Sequence, residues 1–353
     1  MLKRVEIENF RGINKCVIDD LRLINIFIGP NNSCKSTLLD AIYLGLKEPI
    51  EPSIYDVFSR RVGREVDRPE LFFRYDENLI VKISLTFSDE TSYTLRMYRT
   101  KESKEMPMPD GSFVSLGPNR YIVTFEDKTK EYYYHELDIA LRVPSISLST
   151  TAPSRKLSPF VLNYAKNAQL LLSCTNVADL WRELRSVLGK IKHKVDLEGD
   201  LIERLRKVYD ISYYEFVPKP IKTSDILPVF TEEVPMKLRV YGAFHGMGLQ
   251  RGALILSYLE LLRNTALLIE EPEVYQHPRA MRMLAEHMIE LAKKNKVQLF
   301  MTTHSYYDFL SVIRYAPNIE LDNLRCYLLK REPEEIRVER VEKRIDKIIE
   351  AIG

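Results

Sequence analysis

Residues 29 to 37 read G-P-N-N-S-C-K-S-T. They differ at one position from the phosphate-cradling pattern G-x-x-x-x-G-K-[ST]. In that pattern backbone N–H groups surround the phosphates, the lysine reaches their outer oxygens and the Ser/Thr hydroxyl holds Mg²⁺. Gly29, Lys35, Ser36 and Thr37 stand in place, and Cys34 replaces the second glycine. Glycine there allows close approach of backbone to phosphate, whereas cysteine adds a Cβ and a thiol. Two readings follow: a phosphate loop with room for a small side chain, or a degenerate loop that binds nothing. A helix N-terminus lowers a thiol pKa, so Cys34 is also a candidate thiol target.

Two further stretches carry chemistry. In "TALLIEEPEVYQHP", residues 265 to 278, a short apolar strand delivers Glu270 and Glu271 at its C-terminal end. Ligands of open α/β sheets sit at that end. Side chains alternate along a strand, so neighbouring carboxylates can take different tasks. The first can hold Mg²⁺, and the second can orient and deprotonate an attacking water. Glu-Glu-Pro-Glu also reads as an ordinary acidic turn. In "KVQLFMTTHS", residues 296 to 305, a second apolar run ends in His304. Its position is that of a γ-phosphate contact, though a lone histidine after a strand is usually structural. The stretch "YGAFHGMGLQRGALILSYLELLRN" starts glycine-rich and becomes helical. Gly246, Gly248 and Gly252 would leave N–H groups open at a helix start, a second anion cradle, or else make a flexible helix entry.

The elements that must position these residues follow from periodicity. "LRLINIFIG" is a buried strand before the loop, and Leu38, Leu39, Ile42 and Leu46 give the following segment helical spacing. This strand–loop–helix order puts phosphate at a helix N-terminus. "MLKRVEIENF" reads as an edge strand rather than a signal peptide. From about 70 to 140, "NLIVKISLTF", "SYTLRMYR", "RYIVTFED" and "KEYYYHEL" alternate apolar and polar residues, a mostly antiparallel subdomain. Residues 159 to 210 carry helical periodicity. From about 215 strands and helices alternate, the α/β pattern. The C-terminal stretch reads as a strand and a charged helix. The expected organisation is therefore a first lobe over 1–158, a helical insertion over 159–214 and a second lobe over 215–353.

Composition sets wide bounds. The chain has 353 residues and a formal net charge of +2, which neither demands nor excludes nucleic acid. Four scattered cysteines form no C-x-x-C pair, so neither a zinc site nor a disulfide framework is expected. No run is long and apolar enough to span a bilayer. The expectation is a cytoplasmic protein with no membrane partner.

Taken in order, the motifs resemble those of an ABC-type ATPase head. More closely, the chain is similar to the stand-alone AAA-domain ATPases of the overcoming-lysogenisation-defect, RecF and SMC-like head group. The opening "VEIENFRGI", the acidic motif "IEEPEVYQHP" and the loop "HGMGLQR" carry the resemblance. It implies an α/β P-loop NTPase fold that binds and hydrolyses ATP with Mg²⁺. Gly29, Asn32, Ser33, Cys34, Lys35, Ser36 and Thr37 would be the Walker A positions, with Ser36 on the metal. Glu270 would be the Walker B acid and Glu271 the catalytic base. His304 would be the γ-phosphate switch histidine. Gly246 to Arg251, with Gly248 and Gln250, would form the signature loop reaching ATP on a second subunit. Arg11 would lie near the nucleotide.

The resemblance implies two subunits sandwiching two ATP molecules, with a role on or near DNA in repair or in defence against mobile elements. The alternative is a nucleotide-gated scaffold that holds a protein partner and turns over slowly. The chain departs from the group at Cys34, and in lacking an assignable Q-loop glutamine. Gln169 falls in the helical insertion, and Arg155 stands as a substitute. The stretch after His304 lacks the acidic clusters of a nuclease domain, so nuclease activity would belong to a partner. Arg60, Arg61, Arg64 and Arg68 could face either DNA or protein, or line a solvated surface.

Overall fold

Successive side chains of a buried strand must find two apolar partners, one on each face. Two sheets and two layers of helices provide them. The computed structural model describes residues 1–50, 54, 57, 68–108, 111–127, 131–136, 157–173, 177–191, 194–209, 213–220, 226–232, 239–241, 246–304 and 321–341. In chain order, strands β1 (Leu2–Phe10), β2 (Ile13–Ile18) and β3 (Ile24–Ile28) lead into helix α1 (Lys35–Lys47). Strands β4 (Val81–Phe87), β5 (Ser92–Arg99), β6 (Lys104–Pro107), β7 (Phe113–Leu116), β8 (Tyr121–Glu126) and β9 (Glu131–Glu136) follow. Then come α2 (Pro159–Lys166), β10 (Gln169–Leu171), α3 (Val177–Ile191) and α4 (Val195–Tyr209). Strands β11 (Tyr213–Pro220), β12 (Ile226–Glu232) and β13 (Arg239–Tyr241) precede α5 (Met247–Leu261). The chain continues through β14 (Ala266–Glu270), α6 (Pro278–Asn295), β15 (Gln298–Thr303), β16 (Leu324–Arg331) and β17 (Ile336–Arg340).

One six-stranded sheet has the order β2-β1-β4-β5-β8-β9 and is antiparallel throughout. The other has the order β10-β14-β15-β3-β16-β17, with every pair parallel except β16 and β17. Period-two alternation divides the core. Phe27, Ala266, Leu268 and Phe300 pack with α1, α2 and the antiparallel sheet. Ile24, Ile26, Ile28, Leu267, Ile269, Leu299 and Met301 pack with α3, α4, α5 and α6 on the opposite face. Helix α1 packs against strands of both sheets and is buried along almost its whole length. At Gly45 a Cβ would lie 2.9 Å from the Ile83 side chain, so glycine lets α1 lie directly on β4.

Four expectations change. The first strand is not an edge: β1 pairs with β2 on one side and β4 on the other. Its charged residues find partners, as with Glu8, which lies opposite Lys82 and bonds its ammonium at 2.7 Å. The β-rich region from 70 to 140 is antiparallel, but its strands β4, β5, β8 and β9 share a sheet with β1 and β2. The 159–210 segment is not wholly helical. After α2, Gln169–Leu171 forms β10 and pairs in parallel with Leu267–Ile269. Gln169 therefore sits on a core strand. Finally, the α/β alternation expected from 215 begins later, because β11, β12 and β13 form their own antiparallel sheet. Arg60, Arg61, Arg64, Arg155 and the expected charged helix after β17 lie outside the described residues.

One buried side chain bonds both sheets. Gln298, at the start of β15, is fully buried. Its Oε1 accepts from Leu2 N–H at 2.9 Å and from the Tyr164 hydroxyl. Its Nε2 donates to Leu2 C=O at 2.9 Å and Arg22 C=O at 2.7 Å. Gln298→Leu would keep the volume and strand these buried groups. It should lower unfolding stability by about 3 kcal/mol or more, read by urea denaturation.

Candidate active site

In a parallel sheet all the strands end on the same edge, and the loops after them converge there. On this edge β3 leads to the Gly29–Cys34 loop, β14 ends in Glu270, β15 leads to His304 and β10 leads to Ser173. Gly29 must lack a side chain: a Cβ would stand 2.6 Å from both Leu329 C=O and Ser33 Oγ. Lys35, at the first turn of α1, is buried, and its Nζ donates to the carbonyls of Gly29 (2.7 Å) and Pro30 (2.9 Å). Burial lowers its pKa, while the charges of Glu271, Glu270 and Glu273 pull it back up. Lys35 thus feels all three carboxylates of the acidic turn. Ser36 and Thr37 occupy the same helical turn, both half-buried. Asn32 accepts from Arg331 at 3.1 Å.

The departure at position 34 has a physical resolution. Cys34 is the N-cap of α1 with φ 65° and ψ 21°, a left-handed conformation that costs a non-glycine residue roughly 1–2 kcal/mol. Its thiol points to the β1–β2 turn, donating to Gly12 C=O at 3.4 Å. A Cβ on Gly12 would sit 2.9 Å from that sulfur. The missing side chain at Gly12 therefore makes the room that Cys34 uses. The expected lowering of its pKa is reversed: burial raises it, outweighing the nearby Arg331, Arg11 and Lys35 charges. Arg11 is tied to α1 through Asp40 at 2.8 Å, with the Asp40 side chain fully buried.

The acids leave the sheet in different directions. Glu270 is buried at the end of β14, and its Oε2 accepts from Ser173 N–H (3.0 Å) and Ser173 Oγ–H (3.1 Å). Glu271 turns into the left-handed region at φ 48° and donates its N–H to Thr302 C=O at 3.1 Å. Its Oε1 meets His304 Nε2 at 2.5 Å. Glu273 Oε1 accepts from Thr303 Oγ (2.6 Å) and His304 N–H (3.1 Å), which fixes the backbone after β15. The trailing His277-Pro278 is a helix start: His277 caps α6 and Pro278 occupies its first turn.

The glycine-rich segment behaves differently from the expectation of an open cradle. Gly246 caps α5 and is exposed, whereas Gln250 and Arg251 are buried. Gly248 is a close-packing glycine, since a Cβ would lie 2.3 Å from Tyr275 C=O. Gln276 Nε2 and the Tyr209 hydroxyl both donate to Gly248 C=O, at 2.7 and 3.0 Å. A Cβ on Gly252 would overlap the same Tyr209 hydroxyl. Arg251 turns inward: Nη1 donates to Leu172 C=O at 2.8 Å, and Nη2 to the carbonyls of Glu270 and Glu271. Burial lowers its pKa against the pull of the neighbouring carboxylates. Sequence reasoning did not reach Ser173, Glu273 or Arg331. Gln169 lies at the opposite end of β10 from the acids.

A phosphate ligand and a hard divalent cation fit these residues. Gly29 lets the loop fold tightly, since a Cβ there would meet Leu329 C=O and Ser33 Oγ, and that Ser33 Oγ is buried with no hydrogen bond among the described residues. The Ser36 hydroxyl and Glu270 carboxylate are the oxygen donors Mg²⁺ prefers, and one or two such ligands suffice beside phosphate. The fold is of the ABC-type ATPase head kind. The chain matches the family model described as an AAA ATPase domain over residues 1–177 and 183–307, and it belongs to that family. A Helicobacter pylori protein described as an ATP/GTP phosphatase is 24% identical over 338 residues, 89% of this chain and 87% of that protein. The OLD nuclease of Thermus scotoductus is 25% identical over 332 residues, 86% of this chain but 59% of that protein, so the chain spans less than two thirds of it. Among solved structures, an SmcHead bound to the C-winged helix domain of ScpA superposes with TM-score 0.57 at 13% identity, covering 99% of each chain. The SMC head domain from Thermotoga maritima gives 0.50 at 11% identity, covering 97% of this chain and 99% of that one. These two likenesses are of fold.

The Gly12–Cys34 contact is testable by a double-mutant cycle in urea denaturation. Gly12→Ala should cost about 1–3 kcal/mol by overpacking. In the Cys34→Gly background most of that cost should disappear, a coupling of about 1 kcal/mol or more.

Proposed function

We propose that this chain binds ATP with Mg²⁺ at the edge formed by β3, β14 and β15 and hydrolyses it. The observation that carries the reading is the 2.5 Å pairing of Glu271 with His304 beside a P-loop lysine that feels the acidic turn. Lys35 would exchange the Gly29 and Pro30 carbonyls for phosphate oxygens. Gly29, Asn32, Ser33, Cys34 and Thr37 would line the phosphate loop, and Arg11 would fix its outer wall through Asp40. Ser36 and Glu270 would hold the metal, which supplies charge neutralisation on the phosphate oxygens. Glu271 would accept a proton from the attacking water as the terminal P–O bond breaks, releasing ADP and phosphate. His304 would orient Glu271 and contact the terminal phosphate.

The exposed Gly246 at the start of α5 supports a head-to-head dimer, in which the α5 start of one subunit meets ATP on the other. Gly248 would act there as a support, holding that helix start to the acidic turn through Gln276, and Gln250 would belong to the same loop reaching the second subunit's ATP. The reading includes action on or near DNA in the cytoplasm, in repair or in defence against mobile elements, as the resemblance of the motifs implies; the OLD nuclease relative supports a nuclease or other effector as partner. The description of the Helicobacter pylori relative names both ATP and GTP, so GTP belongs in the same assay. A second reading, a nucleotide-gated scaffold with little turnover, is favoured by the left-handed Cys34 in the loop.

Steady-state phosphate release from Mg-ATP separates the two. Glu271→Gln should lower turnover about 10²–10³-fold while leaving ATP binding in place. Wild-type turnover no greater than that of the variant would favour the scaffold.

A further inference from the structure

We infer that Ser173 is a positioning residue that aims the Glu270 carboxylate at the divalent cation, an inference that rests on the Mg-nucleotide reading of this site. Parallel pairing of Leu171 with Ile269 carries the chain beyond β10 alongside the end of β14. Ser173 then directs both of its donors, N–H at 3.0 Å and Oγ–H at 3.1 Å, to the same oxygen of Glu270. Two donors on one oxygen restrict rotation of the carboxylate about its terminal torsion, which is otherwise broad.

The peptide unit between Leu172 and Ser173 is itself held from both sides. Its carbonyl accepts from Arg251 Nη1 at 2.8 Å, and its N–H donates to Glu270. Arg251 also holds the Glu270 carbonyl. Guanidinium, peptide and carboxylate therefore form a closed ring of hydrogen bonds around the end of β14. A serine just beyond a strand often caps the following helix. Here α3 begins at Val177, and the hydroxyl of Ser173 goes to the carboxylate instead. Partners of metal-holding carboxylates orient the ligand, and their loss typically weakens metal affinity 10–100-fold.

The test is equilibrium binding of N-methylanthraniloyl-ATP to the full chain, in EDTA and in excess Mg²⁺. The wild type should bind more tightly with Mg²⁺. Ser173→Ala should keep the EDTA affinity and lose about 10-fold of the Mg²⁺ affinity, and Ser173→Thr, which retains the hydroxyl, should recover it. An unchanged Mg²⁺ gain in Ser173→Ala overturns the inference, as does a threonine variant as weak as the alanine. An EDTA affinity that falls equally assigns Ser173 to the general architecture and overturns it too. A wild type that binds the nucleotide in EDTA with no Mg²⁺ gain removes the inference alone. A wild type that binds under neither condition removes the nucleotide reading, and the inference with it.

Discussion

A buried guanidinium holds the reactive edge together. Arg251 reaches from the first turns of α5 to the carbonyls of Leu172, Glu270 and Glu271, which lie at or just beyond the ends of two adjacent strands. Burying a charge is expensive unless its donors are met. Three backbone acceptors meet Nη1 and Nη2, the Glu270, Glu273 and Glu271 charges lie nearby, and the buried Nε has no hydrogen bond among the described residues. Because the acceptors are strand ends, satisfying Arg251 also fixes where the acids emerge. The same helix start is latched to the acidic turn through Gly248, Gln276 and Tyr209. The surface proposed to meet a second subunit and the acids proposed to act on phosphate are thus parts of one rigid assembly.

The phosphate loop depends on a second accommodation. A left-handed residue at position 34 would be glycine by conformational preference. Cysteine is tolerated because its thiol turns to Gly12 and leaves the inside of the loop to backbone. Further out, Gln298 joins the two sheets by treating Leu2 as though it were a neighbouring strand. The antiparallel sheet is thereby fixed against the parallel one, and α1, which carries Lys35 and Ser36, is held between them.

Much of this was legible in the sequence because the site follows short apolar strands. The lysine, serine, two acids and histidine each stand just beyond such a run, and ends of parallel strands meet in space. What escaped depends on non-local pairing or on torsion signs. Strand β10 is three residues long and sits between helices, so only its pairing with β14 distinguishes it from them. Ser173 could not be found without that pairing. The inward course of Arg251 was hidden because a glycine-rich helix start reads as exposed, whereas Gly248 and Gly252 are there for close packing. The direction of the Cys34 thiol depends on a positive φ and on a glycine far earlier in the chain. Strand β1 read as an edge because its partners β2 and β4 lie elsewhere in the chain, and register is not written in a single segment.

The central claim is that the Arg251 brace places the acids for chemistry on phosphate. The measurement is phosphate release from Mg-ATP by Arg251→Lys, with nucleotide affinity and thermal unfolding followed alongside. Lysine keeps the charge but loses the fork that spans both strand ends. The account predicts a folded variant that still binds ATP through its loop and turns it over at least about tenfold more slowly. Wild-type turnover in that variant would contradict it.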